Sequence, residues 1–324
     1  MCIIVITHKL AEVIAHSDRI TVLRQGRHIA SMETKSTTAD ELARLMVGER
    51  ITSPSPSFVR RGAANSPPYE GGAGGGCPLL SVSNLTVIGD KGFPAVNAMS
   101  FEMRAGEILG VAGVDGNGQR ELAEGLMGMR RSVGGIRLDG MDLARLPVGK
   151  RLDAGIAYIP EDRRRYALVD SYSIEENAIL GAHRHEPFAR WGMLKLSAAR
   201  DNSVHLIERF DVKATGPEMP VEFLSGGNQQ KLVLGRALHG EPKLLIACQP
   251  TRGLDVGATG DIHRRLLEAR SRGMGILLIS YDLDEILSLY DRVMVMFQGR
   301  AVGIVDRSEA DRGTIGSMML GVAS

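Results

Sequence analysis

EILGVAGVDGNGQRELAEGLM, residues 107–127, sets a short apolar run, a glycine-spaced loop and a helical pattern end to end. After Glu107, the run Ile108–Ala112 has the length and apolarity of a strand buried on both faces. Gly113, Gly116 and Gly118 let a tight loop turn its amides inward, and the free N–H groups that open the next helix add positive potential. With Val114, Asp115 and Asn117 between them, these residues read as a phosphate cradle in strand–loop–helix context. The spacing is that of GxxxxGK[S/T], but Gln119 stands where the pattern has Lys and Arg120 where it has a magnesium-binding hydroxyl. Taken alone, the loop also fits a merely tight strand-to-helix turn.

Outward from this segment, apolar runs alternate with helical patterns. Strands are expected at Glu107–Ala112, Gly155–Ile159, Lys243–Cys248, Gly275–Ser280 and Arg292–Phe297; helices at Gln119–Met129, Gly226–His239, Val256–Ser271 and Leu283–Tyr290. Alternation of this kind implies an α/β fold, a largely parallel sheet flanked by helices with its ligand loops at the strand carboxyl ends. Residues 79–103 alternate with period two and predict an added antiparallel hairpin.

Composition narrows the class. The 324 residues are 44% apolar and 24% charged, as in a soluble globular protein with room for about two domains. A net charge of +1 and 4% aromatic content argue against a nucleic-acid-coating protein. Three cysteines, Cys2, Cys77 and Cys248, share no CxxC spacing and point to a reducing compartment. No apolar run approaches the ~18 residues that span a bilayer, and the N-terminal MCIIVITHKLAEVIAH lacks a basic lead-in for a signal sequence, so a cytosolic location is expected.

Residues 50–78, rich in Pro and Gly, have the composition of a flexible linker between residues 1–49 and residues 79–324. The two flanks are related. At an offset of 273, Leu10 falls on Leu283, Glu12 on Glu285, Asp18-Arg19 on Asp291-Arg292, and Gln25-Gly26-Arg27 on Gln298-Gly299-Arg300. Residues 1–49 are therefore expected to be a second copy of the C-terminal end of residues 79–324, and about 195 residues of that copy are expected upstream of it.

Two further motifs follow the phosphate cradle. LSGGNQQK, residues 224–231, opens a helix with Ser225 and two glycines, another set of free amides suited to an anion. LLIACQPTRGLDVGA, residues 244–258, is an apolar strand running into a loop. In this order the motifs resemble ATP-binding cassette proteins. The wording GVAGVDGNGQ, YIPEDR (residues 158–163), LSGGNQQK and QPTRGLDVGA is similar to the second cassette of the tandem ATP-binding subunits of bacterial simple-sugar and nucleoside importers. The resemblance covers residues 1–49 and 79–324.

It implies a P-loop NTPase-type sheet with a helical subdomain inserted at about 170–235. It also implies ATP and Mg²⁺ as cofactors, a signature at Leu224, Ser225, Gly226, Gly227, Asn228 and Gln229, a D-loop at Gly253, Leu254 and Asp255, and a Q-loop region at Glu161. Its implied partners are transmembrane permease subunits, an intact first cassette and, indirectly, a periplasmic or lipoprotein substrate-binding protein, with the chain peripheral on the cytoplasmic face of the inner membrane and no nucleic acid bound. Four catalytic positions depart from the family together: Gln119 for the Lys, Cys248 for the magnesium-linked Asp, Gln249 for the catalytic Glu, and Tyr281 for the switch His. His8, in register with Tyr281, keeps the switch His in the first copy. The expected function is the ATP-binding subunit of a simple-sugar or nucleoside importer whose own site is degenerate and whose signature completes a partner's site. The alternatives are a catalytically dead regulatory module and a soluble cassette acting on ribosomes or DNA, the latter disfavoured by the near-neutral charge.

Overall fold

Residues 10–45 carry the apolar spacing of one helix and two paired strands. The computed structural model, which describes residues 4, 10–24, 27–38, 41–42, 45 and 77–321, forms them as α1 (Leu10–His16), β1 (Arg19–Arg24) and β2 (Arg27–Glu33). The expected linker lies almost wholly outside the described residues, as does His8.

From residue 80 the chain builds two sheets. Period-two alternation gives β3 (Leu80–Ile88) and β4 (Pro94–Met103), which pair antiparallel. A continuous apolar run gives β5 (Ile108–Ala112), buried throughout, followed by α2 (Gln119–Leu126). Then come β6 (Ser132–Leu138), β7 (Met141–Asp142), α3 (Val148–Asp153), β8 (Ile156–Ile159), α4 (Arg163–Tyr166) and α5 (Ile174–Ala178). A small hairpin, β9 (Ala189–Arg190) with β10 (Met193–Leu194), precedes α6 (Leu196–Phe210) and α7 (Gly226–Ala237). The chain ends with β11 (Leu244–Cys248), α8 (Val256–Ser271), β12 (Gly275–Ile279), α9 (Leu283–Leu289), β13 (Arg292–Phe297), β14 (Arg300–Asp306) and α10 (Arg312–Met319).

The six-stranded sheet has the order β14-β13-β5-β12-β11-β8, parallel except for the β13–β14 pair. The antiparallel layer is larger than the expected hairpin: β6 joins β3 and β7 joins β6, giving four strands. One core lies between this layer, α2 and the main sheet; a second covers the opposite face with α5–α8. The segment expected to form a helical subdomain also contains the β9–β10 hairpin, whose two-residue strands are too short to show a period in sequence.

The internal repeat reappears in the elements. Shifted by 273, the bounds of α1, β1 and β2 become those of α9, β13 and β14. Even the irregularity repeats, between Val22 and Leu23 in the first pair and between Val295 and Met296 in the second. Ile20, Val22 and Leu42 form a small core matching Val293, Val295 and Ile315. The other face differs. Met294 and Met296 are fully buried against the larger core, whereas their counterparts Thr21 and Leu23 are exposed.

Arg151 is almost fully buried and donates to the carbonyls of Gly125 (3.0 Å), Leu126 (2.6 Å), Leu146 (2.9 Å) and Ala144 (3.2 Å). It thus satisfies the Leu126 carbonyl that the end of α2 leaves open and adds a donor to the Gly125 carbonyl, which also accepts from the Gly128 amide. Arg151→Leu is expected to lower stability by roughly 3 kcal/mol, because the Leu126, Leu146 and Ala144 carbonyls lose their donor. A urea midpoint equal to the parent's would refute this role.

Candidate functional site

Because β5, β12, β11 and β8 run parallel, their carboxyl ends open on one edge and bring residues 113, 280, 249 and 160 side by side. The loop after β5 needs its glycines. Gly116 and Gly118 hold φ of +86° and +96°, and a Cβ at Gly118 would strike the Ala95 carbonyl of β4. Asn117 ties the loop down: its Nδ2 donates to the Val114 carbonyl at 3.0 Å, and its Oδ1 accepts from the Gln298 amide at 2.7 Å.

Gln119 is wholly buried. Its Nε2 donates back to the Val114 carbonyl at 3.1 Å, and its Oε1 has no partner. A neutral amide thus occupies the point from which a lysine would project its charge. Arg120 does not substitute for it, since its guanidinium is paired with Glu124 at 2.8 Å. Arg130 bonds the same carboxylate and also Asp90 at 2.7 Å. The nearby cations are therefore largely neutralised.

Cys248, Gln249 and Tyr281 lie beside this loop. Burial, reinforced by the negative charge of Glu161, pushes the Cys248 thiol well above its ordinary range, and it shares a hydrogen bond with Tyr158. Burial, and then a hydrogen bond to the Asp115 carboxylate, likewise raises the Tyr281 phenol. The Tyr281 phenol thus faces the Asp115 carboxylate of the phosphate loop. Gln249 sits at φ +49° and its buried Nε2 lacks a partner. Amides at residues 113–118 and the α2 N-terminus fit phosphate oxygens. The donor set suits Mg²⁺ poorly, since the positions beside the loop hold a neutral thiol and two amides and the Asp115 carboxylate is engaged by Tyr281. Among the described residues no group of three or more His, Cys, Asp and Glu could hold a metal ion.

The second anion-binding segment is built apart from the loop. Ser225 caps α7, accepting from the Asn228 amide at 3.4 Å and from Asn228 Nδ2 at 2.9 Å. Leu224 is buried before it, and Gln229 is fixed by its Nε2 donating to the Val221 carbonyl at 3.0 Å. Close packing explains Gly227, where a Cβ would meet that of Ala258 at 3.0 Å. In the loop after β11, Leu254 is buried, Gly253 has φ +69°, and Asp255 caps α8 by accepting from the Ala258 amide at 2.8 Å.

Arg163, the last residue of YIPEDR, has a structural role that the sequence did not indicate. Its Nε contacts Gln229 Oε1 at 3.5 Å, its Nη1 donates to the Arg252 carbonyl at 3.2 Å, and its Nη2 lies against Gly226. Arg252 in turn pairs with Glu161. The three loops after β8, before α7 and after β11 are thereby joined. Glu285 was also missed: its carboxylate accepts from Thr251 at 2.7 Å and lies 3.2 Å from His263 Nε2. Burial opposes its ionisation, and the hydrogen bond and charge of His263 outweigh that, holding its carboxyl below the usual range. Nothing in local spacing marks either cluster, because each joins segments dozens of residues apart. Phe93, just before β4, is an exposed aromatic that sequence reading also passed over.

Residues 96–252 match the ABC transporter family. The chain is 39% identical over 320 residues to a nucleoside import ATP-binding protein of Lactococcus lactis subsp. cremoris, covering 98% of this chain and 61% of that protein. It is 38% identical over 322 residues to a glucose import ATP-binding protein of Haloferax volcanii, covering 98% and 56%. The chain thus spans somewhat over half the length of these relatives. Among solved structures, a nucleotide-free ATP-binding cassette from an ABC transporter aligns with a TM-score of 0.62 at 20% identity, over 76% of this chain and 96% of that one, which shows the ABC ATPase fold.

The burial of Cys248 gives a direct check. Alkylation of the native protein should label exposed Cys77 and leave Cys248 unmodified, at least about a hundredfold slower, until denaturant is added. Labelling of both at similar rates, mapped by peptide mass spectrometry, would contradict the buried, protonated thiol.

Proposed function

We propose, from the match of residues 96–252 to the ABC transporter family, that the chain serves a nucleoside or simple-sugar importer as a nucleotide-holding, non-hydrolysing cassette whose signature completes the active site of another cassette. One observation carries this. The amide cradle and the Ser225 cap are both intact, while the charged groups that hydrolysis needs are replaced by Gln119, Cys248, Gln249 and Tyr281.

At its own loop the amides of residues 113–118 and the α2 N-terminus hold phosphate oxygens, and Gln119 contributes no charge. Nucleophilic water is left without a base, since the Gln249 amide cannot accept its proton; general-base assistance is typically worth ~10²–10⁴ in rate. At the facing site, the Ser225 hydroxyl and the free amides of Gly226 and Gly227 present donors to the terminal phosphate held by a complete cassette. Such a cassette belongs to the first copy, of which α1, β1 and β2 would be the end, or to another polypeptide. His8 would act as its switch histidine. Binding draws the cassettes together and release separates them, and the loop bearing Glu161, joined by Arg252 and Arg163 to the signature helix, passes that motion to a membrane permease. This places the chain peripherally on the cytoplasmic face of the membrane, with the substrate-binding protein reached only through the permease.

A second reading, a regulatory module that binds nucleotide without ever completing a site, is favoured by the same four replacements. It predicts no turnover even beside a complete cassette.

Purified chain should show ATPase activity no higher than buffer, and Gln119→Lys alone should not restore it, because positions 248 and 249 still leave metal and water unmanaged. A fluorescent ATP analogue should bind weakly, and Gly118→Val, which forces a Cβ into the Ala95 carbonyl, should abolish binding. Hydrolysis by the isolated chain would overturn the proposal.

A further inference from the structure

The β9–β10 hairpin has an unusual tip. Trp191 and Gly192, its two turn residues, both have positive φ, +58° and +79°. Two such residues form the hairpin turn that normally takes Asn-Gly, and a bulky aromatic there is strained. The strain is not offset by packing. Trp191 is 88% exposed, Met193 72%, Leu194 52% and Leu196 75%. Four large apolar side chains within six residues thus face outward.

The base, by contrast, is rigid. Phe188 is buried with Ile179 and Ala199 and accepts the Lys195 amide through its carbonyl at 2.7 Å. The tip is therefore a fixed projection, not a frayed end. Its flanks are cationic: Arg184, Arg190 and Lys195 are exposed, against a single carboxylate, Glu186, which pairs with Arg190 at 3.6 Å.

Exposed tryptophan with leucines, ringed by Lys and Arg, is the chemistry of an interfacial anchor. The ring suits the headgroup level, the aliphatic side chains the acyl boundary, and the cations the negative surface potential of an anionic leaflet. We propose that the tip of the β9–β10 hairpin docks on the anionic lipid surface beside the permease, giving the subunit a direct lipid contact in addition to its protein one. The inference relies on the proposed place of the chain at a membrane. Strain at Trp191 is consistent with such a role, because it holds the ring outward where a partner outside the protein stabilises it.

Trp191 is the chain's sole tryptophan, so its emission reads the tip alone. The full chain, without nucleotide, is mixed with phosphatidylglycerol vesicles and with phosphatidylcholine vesicles. The expected result is a shift to shorter wavelength on the anionic vesicles only, reversed by high salt. Lys195→Glu should weaken partitioning about fivefold or more, and Leu196→Ser should weaken it while leaving the reporter in place. Both positions are exposed and lie outside the nucleotide and signature segments. Emission unmoved by either vesicle would overturn the proposal and make the tip a protein-docking face; an equal shift on both, untouched by Lys195→Glu, would overturn it too. Because no nucleotide is present, failure here is separate from failure of the proposed cassette function, which is read by nucleotide binding and turnover.

Discussion

Everything at the functional edge hangs on the burial of β5. Ile108, Leu109 and Val111 are completely inaccessible, with the antiparallel layer and α2 on one side and the α5–α8 layer on the other. A parallel strand packed on both faces cannot slip by one residue, since a slip would exchange the side chains facing the two cores. Its carboxyl end is thus fixed relative to those of β12, β11 and β8. That constraint converts four loops, separated by up to about 170 residues of chain, into one site.

The site retains its shape and gives up its charge. Gly118 still approaches the β4 backbone, Asn117 still binds the β13–β14 turn, and Ser225 still caps its helix. Each of these depends on backbone geometry, which the fold requires whether or not chemistry is done. Gln119, Cys248, Gln249 and Tyr281 bring uncharged side chains to this edge, and two of them leave a buried polar atom without a partner. Unpaired buried groups cost stability. Their presence at this edge, where phosphate oxygens would lie, suits a pocket that is filled when it works.

The repeated α–β–β unit shows how the same sequence pattern fares with and without its sheet. In the second copy Met294 and Met296 pack into the larger core through β13, which pairs with β5. In the first copy the matching positions are Thr21 and Leu23, both exposed, while Ile20, Val22 and Leu42 still form the other face. Pairing, register and bulge are local and recur; burial of the second face is tertiary and does not.

Sequence alone determined the strand–loop–helix cradle at 107–127, the buried strands, the order of the anion-binding segments and the 273-residue repeat, because each is carried by contiguous residues whose periodicity or spacing is itself the physical cause. Tertiary structure decided what spacing cannot encode. It brought Arg163 onto Gln229 and Arg252, set Tyr281 on Asp115, assembled Glu285 with His263 and Thr251, and widened a hairpin into a four-stranded layer. It also left Trp191 and its apolar neighbours outside. The reason is the same in every case: these contacts join segments far apart in the chain, and whether a side chain meets a partner there depends on how layers pack, not on its neighbours in sequence.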